Sequence, residues 1–442
     1  MDTFEEWKHQ RIKNTYKVPK QFEEFIYIGY LVCFDAFLDV FTHLPIRILQ
    51  YRKRIDILVF LSIFLLVCLL DLDIAYLYHF VRGQSVIKLY VIFNTLEIAD
   101  KLCASFGLDI LEIISSSKTT PCNTPMDTLK SCFFFLANLI VLVLYGACHT
   151  MVLLFQLVAL NVAVNSHNNA LLTLLISNQF AELKTSVFKK FESENLFQLG
   201  CSDVVERLHL SIFIFLTFIR NIADSSEPQG QDLLLLPEWL MPDYLIFVVD
   251  PLLTVVVSEL AVDWLKHGFI TKFNGIKPSV YHLFAQVIAR DVLRKSHLQH
   301  HNATARRLGF NAIPAVVLFI KNMLQLLPSW FENSDLDVFI KAPKFDNQSF
   351  IVSLVVCYAV LWVLKATVRQ QLFNKSKILA NEPAIKNAIG GPREYMYAPI
   401  HKIPKHDINR GKSNVDNTMK PPQELTLENI DRFAIWKSRV PL

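Results

Sequence analysis

One run of this chain, FFFLANLIVLVLYGACHTMVLLFQLVALNVA over 133–163, constrains the fold more than anything else in the sequence. About 20 helical residues cross the hydrocarbon core of a bilayer, so this run is long enough to do so with a tilt or to emerge into the interface. It has company. Further apolar runs cover 55–76, 203–222, 244–265, 308–327 and 349–368, with 203–222 the most polar. Hydrophobic residues make up 52% of the chain and charged residues 19%. A soluble core cannot hide segments bunched in this way, so the expected fold class is all-α, a polytopic membrane helix bundle of about six spans. The first 24 residues are charged and hold no apolar stretch of signal-peptide type, which leaves targeting to the first membrane helix.

A further run over 25–44 carries Asp35 and Asp39 and stops at Pro45. It reads as an interfacial or re-entrant segment, with a full span as the alternative. This gives three regions: an N-terminal part over 1–54, a transmembrane domain over 55–368 and a tail over 369–442. The tail is rich in polar residues and proline and is expected to be largely disordered. It ends in an apolar-aromatic patch with Ile430, Phe433, Ile435 and Trp436, a candidate docking motif.

Orientation follows the Lys and Arg of the loops. The stretch 223–243 has none, whereas 266–307 holds Lys266, Lys272, Lys277, Arg290, Arg294, Lys295, Arg306 and Arg307. Both termini are basic, so six spans with both ends in the cytosol fit the alternation. The net charge of +4 then belongs to loops facing anionic lipid rather than to a nucleic-acid surface.

Three amphipathic helices are expected between the spans. Over 87–110 the apolar positions Leu89, Ile92, Leu96, Ala99, Cys103, Phe106 and Ile110 recur in steps of three and four. Leu172, Ile176, Phe180, Leu183, Val187 and Phe191 form a second stripe, suited to the membrane surface or to neighbouring helices. Tyr281, Phe284, Ile288 and Val292 form the third.

Candidate chemistry is sparse. The block Asn165-Ser166-His167-Asn168-Asn169 has the residue types of a helix start and only one metal-ligating side chain, so it reads as a joint. His297, His300 and His301 lack a Cys or acidic partner and read as solvated loop. The eight cysteines form no CxxC pair. No HExxH, GxGxxG, Walker A or GxSxG pattern occurs, and no cofactor, nucleic acid or small-molecule substrate is implied. What stands out is intramembrane charge: Asp250, Glu259 and Lys321. Asp250 and Lys321 lie at similar depth, so they are expected to pair, with Glu259 as the next candidate for Lys321. A transport path through the three residues is the rival reading, and a membrane signalling receptor a further one.

Several segments resemble the transmembrane anterior posterior transformation protein family. They are CFDAFLDVFTHLPIR (33–47), RGQSVIKLYVIFNTLEIADKL (82–102), LNVAVNSHNNALLTLLISNQFAELKTSVFKKFE (160–192), HGFITKFN (267–274), ARRLGF (305–310) and the final IDRFAIW (430–436). Asp39 and His43 depart from the apolar or aromatic residues expected there. The resemblance implies a multipass, non-enzymatic protein of the endoplasmic reticulum membrane with no established catalytic residues. It implies a membrane partner with a lumenal SUN-like domain, a role in protecting newly made proteins from degradation, and links to cilia and skeletal patterning in vertebrates.

Overall fold

The computed structural model describes residues 2–51, 53–70, 74–116, 125–165, scattered positions within 173–191, and then 193–224, 242–296, 303–332 and 347–382. Among these there are helices and no strand. In chain order they are α1 (Asp2–Tyr51), α2 (Arg54–Leu69), α3 (Ile74–Arg82), α4 (Val86–Ser116) and α5 (Pro125–Val164), then α6 (Ser193–Asp224), α7 (Pro242–Asn274), α8 (Ser279–Ser296), α9 (Ala303–Arg307), α10 (Ala312–Glu332) and α11 (Asn347–Asn381).

The first helix organises the rest. Phe22, Phe25, Ile26, Ile28, Leu31, Val32, Cys33, Ala36, Phe37 and Leu38 are all buried. These positions cover most of the circumference, leaving Tyr27 exposed, the pattern of a helix enclosed on most sides. Helices α6, α7, α8, α10 and α11 surround it. The segment 25–44, read from sequence as interfacial or re-entrant with a full span as the alternative, is part of an unbroken central helix long enough for that alternative. The physical reason is that its acidic residues find cations, Lys365 of another helix and Arg47 further along α1, instead of needing water.

Close packing depends on two glycines. A Cβ on Gly29 of α1 would stand 2.7 Å from Val204 of α6, and one on Gly200 of α6 would stand 2.6 Å from the Phe25 ring. Each helix thus presents a bare backbone to a large side chain of the other. Around this contact Phe25, Phe197 and Phe284 pack with ring centroids 5.1–6.1 Å apart, mostly edge-to-face.

By length and composition, Tyr16–Tyr51 and Leu129–Val164 could each cross a membrane. The pair α2 and α3, bent by 65°, would make a third as a broken span or re-entrant loop. Among the described residues the runs in α6, α7, α10 and α11 do not meet the same standard. In α6 and α7 the reason is polar content, since they bring buried charges into the bundle, whereas α10 is apolar over Ala312–Gln325 but short.

The amphipathic stripes fare differently. On α8, Tyr281, Phe284 and Ile288 are buried against α1 and α11, as their spacing predicts. On α4 the face against α5 is Leu89, Ala104, Gly107 and Leu111, while Ile98, Leu102, Phe106 and Ile113 are exposed. The buried face is rotated from the apolar count because the seam with α5 includes the polar Asp100. Of the stripe over 172–191, Leu172 lies outside the described residues. Ile176, Leu183 and Phe191 are half-buried, Val187 is buried and Phe180 is exposed. The expected tail boundary also moves. Helix α11 continues to Asn381 because Leu372, Ser376 and Leu379 are buried against the bundle.

Candidate functional site

Buried charge is concentrated where α1, α6, α7 and α8 meet. Asp203 and Arg207 are one turn apart on α6, and Asp263, Lys266 and His267 lie within little more than one turn of α7. This spacing points each set toward the other helix. The result is a continuous chain of alternating partners. Arg207 donates from an Nη to Glu23 of α1 at 2.8 Å and from Nε to Asp263 at 3.0 Å. Lys266 lies between Asp263 at 2.9 Å and Asp203 at 2.8 Å. His267 Nε2 donates to the other Asp203 oxygen at 2.6 Å. Its Nδ1 lies 2.7 Å from the Tyr281 hydroxyl of α8. With Nε2 protonated toward a carboxylate, a neutral ring accepts a hydrogen bond from the tyrosine hydroxyl at Nδ1.

The setting is dry. Asp203, Asp263, Lys266 and His267 each expose 2% or less of their surface. Phe22 stacks on the His267 ring at 4.0 Å and lies beneath the Arg207 guanidinium. Trp264 donates to Glu23 at 2.6 Å. Burial, with the negative charge of Asp203 nearby, pushes the Tyr281 phenol well above its ordinary range. Such a network strongly resists loss of a single member, because an unpaired charge would stay buried.

Two smaller polar clusters repeat the pattern. On α1, Asp39 is buried and faces Arg47 at 2.9 Å and Lys365 of α11 at 3.6 Å. Lys365 also donates to the Asp35 backbone carbonyl at 2.6 Å and lies 2.7 Å from its carboxylate. The Asp39 oxygens are held by charge proximity without aligned hydrogen bonds. Between α4 and α5, His149 bridges Asp100 and Tyr145 at 2.8 Å on both sides, and Asn311 donates to the Tyr145 hydroxyl at 3.0 Å.

The residues singled out from sequence are placed unevenly. No ion pair joins Asp250 to Lys321 among the described residues, because α7 packs on α1, α6 and α5 while α10 packs on α5, α2, α6 and α1. Glu259 instead lies within electrostatic range of Asp263, Glu206, Lys266 and Asp203, at the edge of the network. Asn165 closes α5, donating to Asn161 at 2.7 Å and to Asn221 of α6 at 2.9 Å. Positions 166–169, the histidines 297, 300 and 301, and the motif Ile430, Phe433, Ile435 and Trp436 lie outside the described residues. The network itself is absent from the sequence-derived candidates. Lys266 and His267 read there as a cytosolic loop, although the one-turn spacings Asp203–Arg207 and Asp263–Lys266 were a usable signal.

Comparison with known proteins places this architecture. Residues 49–379 match a family described as a eukaryotic membrane protein family. Endoplasmic reticulum membrane protein 65 of Schizosaccharomyces pombe is 37% identical over 72% of this chain and 54% of its own length. The transmembrane anterior posterior transformation protein 1 homolog of Gallus gallus is 31% identical over 96% of this chain and 74% of its own. The human homolog is 35% identical over 71% of this chain and 57% of its own. The chain thus spans little more than half the length of several relatives that it matches. No solved structure matches it. With a family-wide match across most of its length and a helical bundle built on membrane-type helices, the chain belongs to the transmembrane anterior posterior transformation protein family of eukaryotic membrane proteins.

Proposed function

We propose that the protein is a non-enzymatic multipass scaffold of the endoplasmic reticulum membrane, with both termini in the cytosol. It acts as the partner subunit of a membrane protein bearing a lumenal SUN-like domain, in protecting newly made proteins from degradation. Relatives named for the endoplasmic reticulum membrane and for anterior posterior transformation support the compartment and a developmental role, and the same reading includes a part in cilium formation. The observation that carries the scaffold reading is the use of buried charge. Glu23, Arg207, Asp263, Lys266 and Asp203 pair with one another and tie α1, α6 and α7 into one body. Rigid, mutually satisfied charge favours a surface of fixed shape over a moving path. The apolar-aromatic set Ile430, Phe433, Ile435 and Trp436 supplies an additional docking segment, and membrane lipid surrounds the bundle.

Affinity purification of the full chain in mild detergent tests this. A single membrane protein with a SUN-like domain recovered in near-stoichiometric amount is the expected result, and its absence overturns the partner role. The second reading is transport through Asp250, Glu259 and Lys321, favoured by the position of Glu259 beside the network. Substrate-dependent flux in liposomes, lost on Glu259→Gln, would establish it.

A further inference from the structure

The elbow between α1 and α2 holds more positive charge than its carboxylates can match. Arg306 of α9 is half-buried, and among the described residues its side chain makes no hydrogen bond or ion pair. The charged groups nearest it are Asp56 and Arg47. Asp56 is already shared with Arg47 at 3.7 Å, and Asp39 takes another Arg47 nitrogen at 2.9 Å. The Arg47 nitrogen facing Asp56 is its Nε, which is buried and too far from that carboxylate for a hydrogen bond. Lys53 and Arg54 are exposed on the same turn of chain. Burial pulls the Arg306 guanidinium below its ordinary range, and Arg47 adds to that pull against Asp56. A cation left in this position calls for an anion from outside the chain.

The location says which anion. The candidate spans Tyr16–Tyr51 and Leu129–Val164 both terminate here, and Arg54 donates to Ser131 of α5 at 2.8 Å, joining the two ends. The elbow is therefore at the height of the lipid headgroups. Ile46, Leu49 and Tyr51 are exposed beside it and suit the acyl-chain side of that boundary. Guanidinium pairs are favoured ligands for phosphate oxygens, which accept two parallel hydrogen bonds.

We propose that the α1–α2 elbow binds the phosphate of an anionic lipid headgroup, held by the Arg306 guanidinium beside the Arg47–Asp56 pair. The full chain is reconstituted into nanodiscs of phosphatidylcholine alone or of phosphatidylcholine with phosphatidylinositol, and thermal unfolding is followed by fluorescence. The anionic lipid should raise the melting temperature by roughly 3 °C. Arg306→Gln should melt at or above wild type in phosphatidylcholine alone, since it relieves an unmatched buried charge, and should lose the gain from phosphatidylinositol. Arg47→Gln gives a less direct readout because it also frees Asp39, so Arg306→Gln carries the decision. The proposal is overturned if wild type melts equally in both discs, if Arg306→Gln keeps the full gain, or if it melts lower in phosphatidylcholine alone. An equal rise from inorganic phosphate in phosphatidylcholine discs would identify a soluble anion as the occupant and overturn the lipid assignment.

Discussion

Helices α1 and α5 each contain a window apolar enough to cross a bilayer, with mean hydropathy 1.7 and 2.2, yet other helices cover 67% of the first and 17% of the second. The polar residues follow the coverage. On α1, Asp35 and Asp39 stand in the middle of the apolar run, where Lys365 and Arg47 meet them. On α5, the bare positions Phe133, Phe134, Leu136, Ile140 and Leu144 are all apolar. Its Tyr145, His149 and Asn161 occur where other helices close over it. Hydropathy measures how greasy a helix is; it does not say whether lipid or protein covers it.

The sharpest test of this contrast is Lys365→Met. It leaves Asp35 and Asp39 buried one cation short, and breaking such a pair from one side costs about 3–5 kcal/mol. A melting temperature unchanged in detergent would mean that α1 is wetter than its burial implies. Next is Gly29→Ala, whose Cβ would meet Val204 at 2.7 Å. Overpacking of this kind costs about 1–3 kcal/mol, and full stability would show that α1 and α6 can separate. Smallest is Leu144→Ala on the bare side of α5, expected within about 0.5 kcal/mol because no protein side chain fills the space. A large loss there would mean that another chain covers α5. All three are read from thermal unfolding of the purified protein.

Part of this was legible in the residues. The long run at 133–163 announces a membrane helix, and the Tyr281, Phe284 and Ile288 spacing gives the buried face of α8. The central place of α1 was not legible, because Asp35 and Asp39 argue for water until Lys365, more than 300 residues away, supplies the partner. The network was hidden for the same reason. Lys266 next to an apolar run reads as a loop cation under any charge-counting rule, and only the tertiary approach of Asp203 turns it into a core residue. On α4, counting apolar residues missed the seam because its decisive members are Asp100, which bonds His149, and Gly107, whose bare backbone admits Tyr145.

The central claim is that buried charge on α6 and α7 holds the bundle together, and a double-mutant cycle at Asp203 and Lys266 tests it most directly. Each is 1% exposed, and they lie 2.8 Å apart. Lys266→Met alone leaves Asp203 and Asp263 short of a cation, and Asp203→Leu alone leaves Lys266 with one carboxylate and His267 without its acceptor. Either should cost about 3–5 kcal/mol. The double variant keeps Arg207 with Glu23 and Asp263, and His267 with Tyr281, so it should recover much of that loss. Singles as stable as wild type, or a double variant no better than their sum, would contradict the claim.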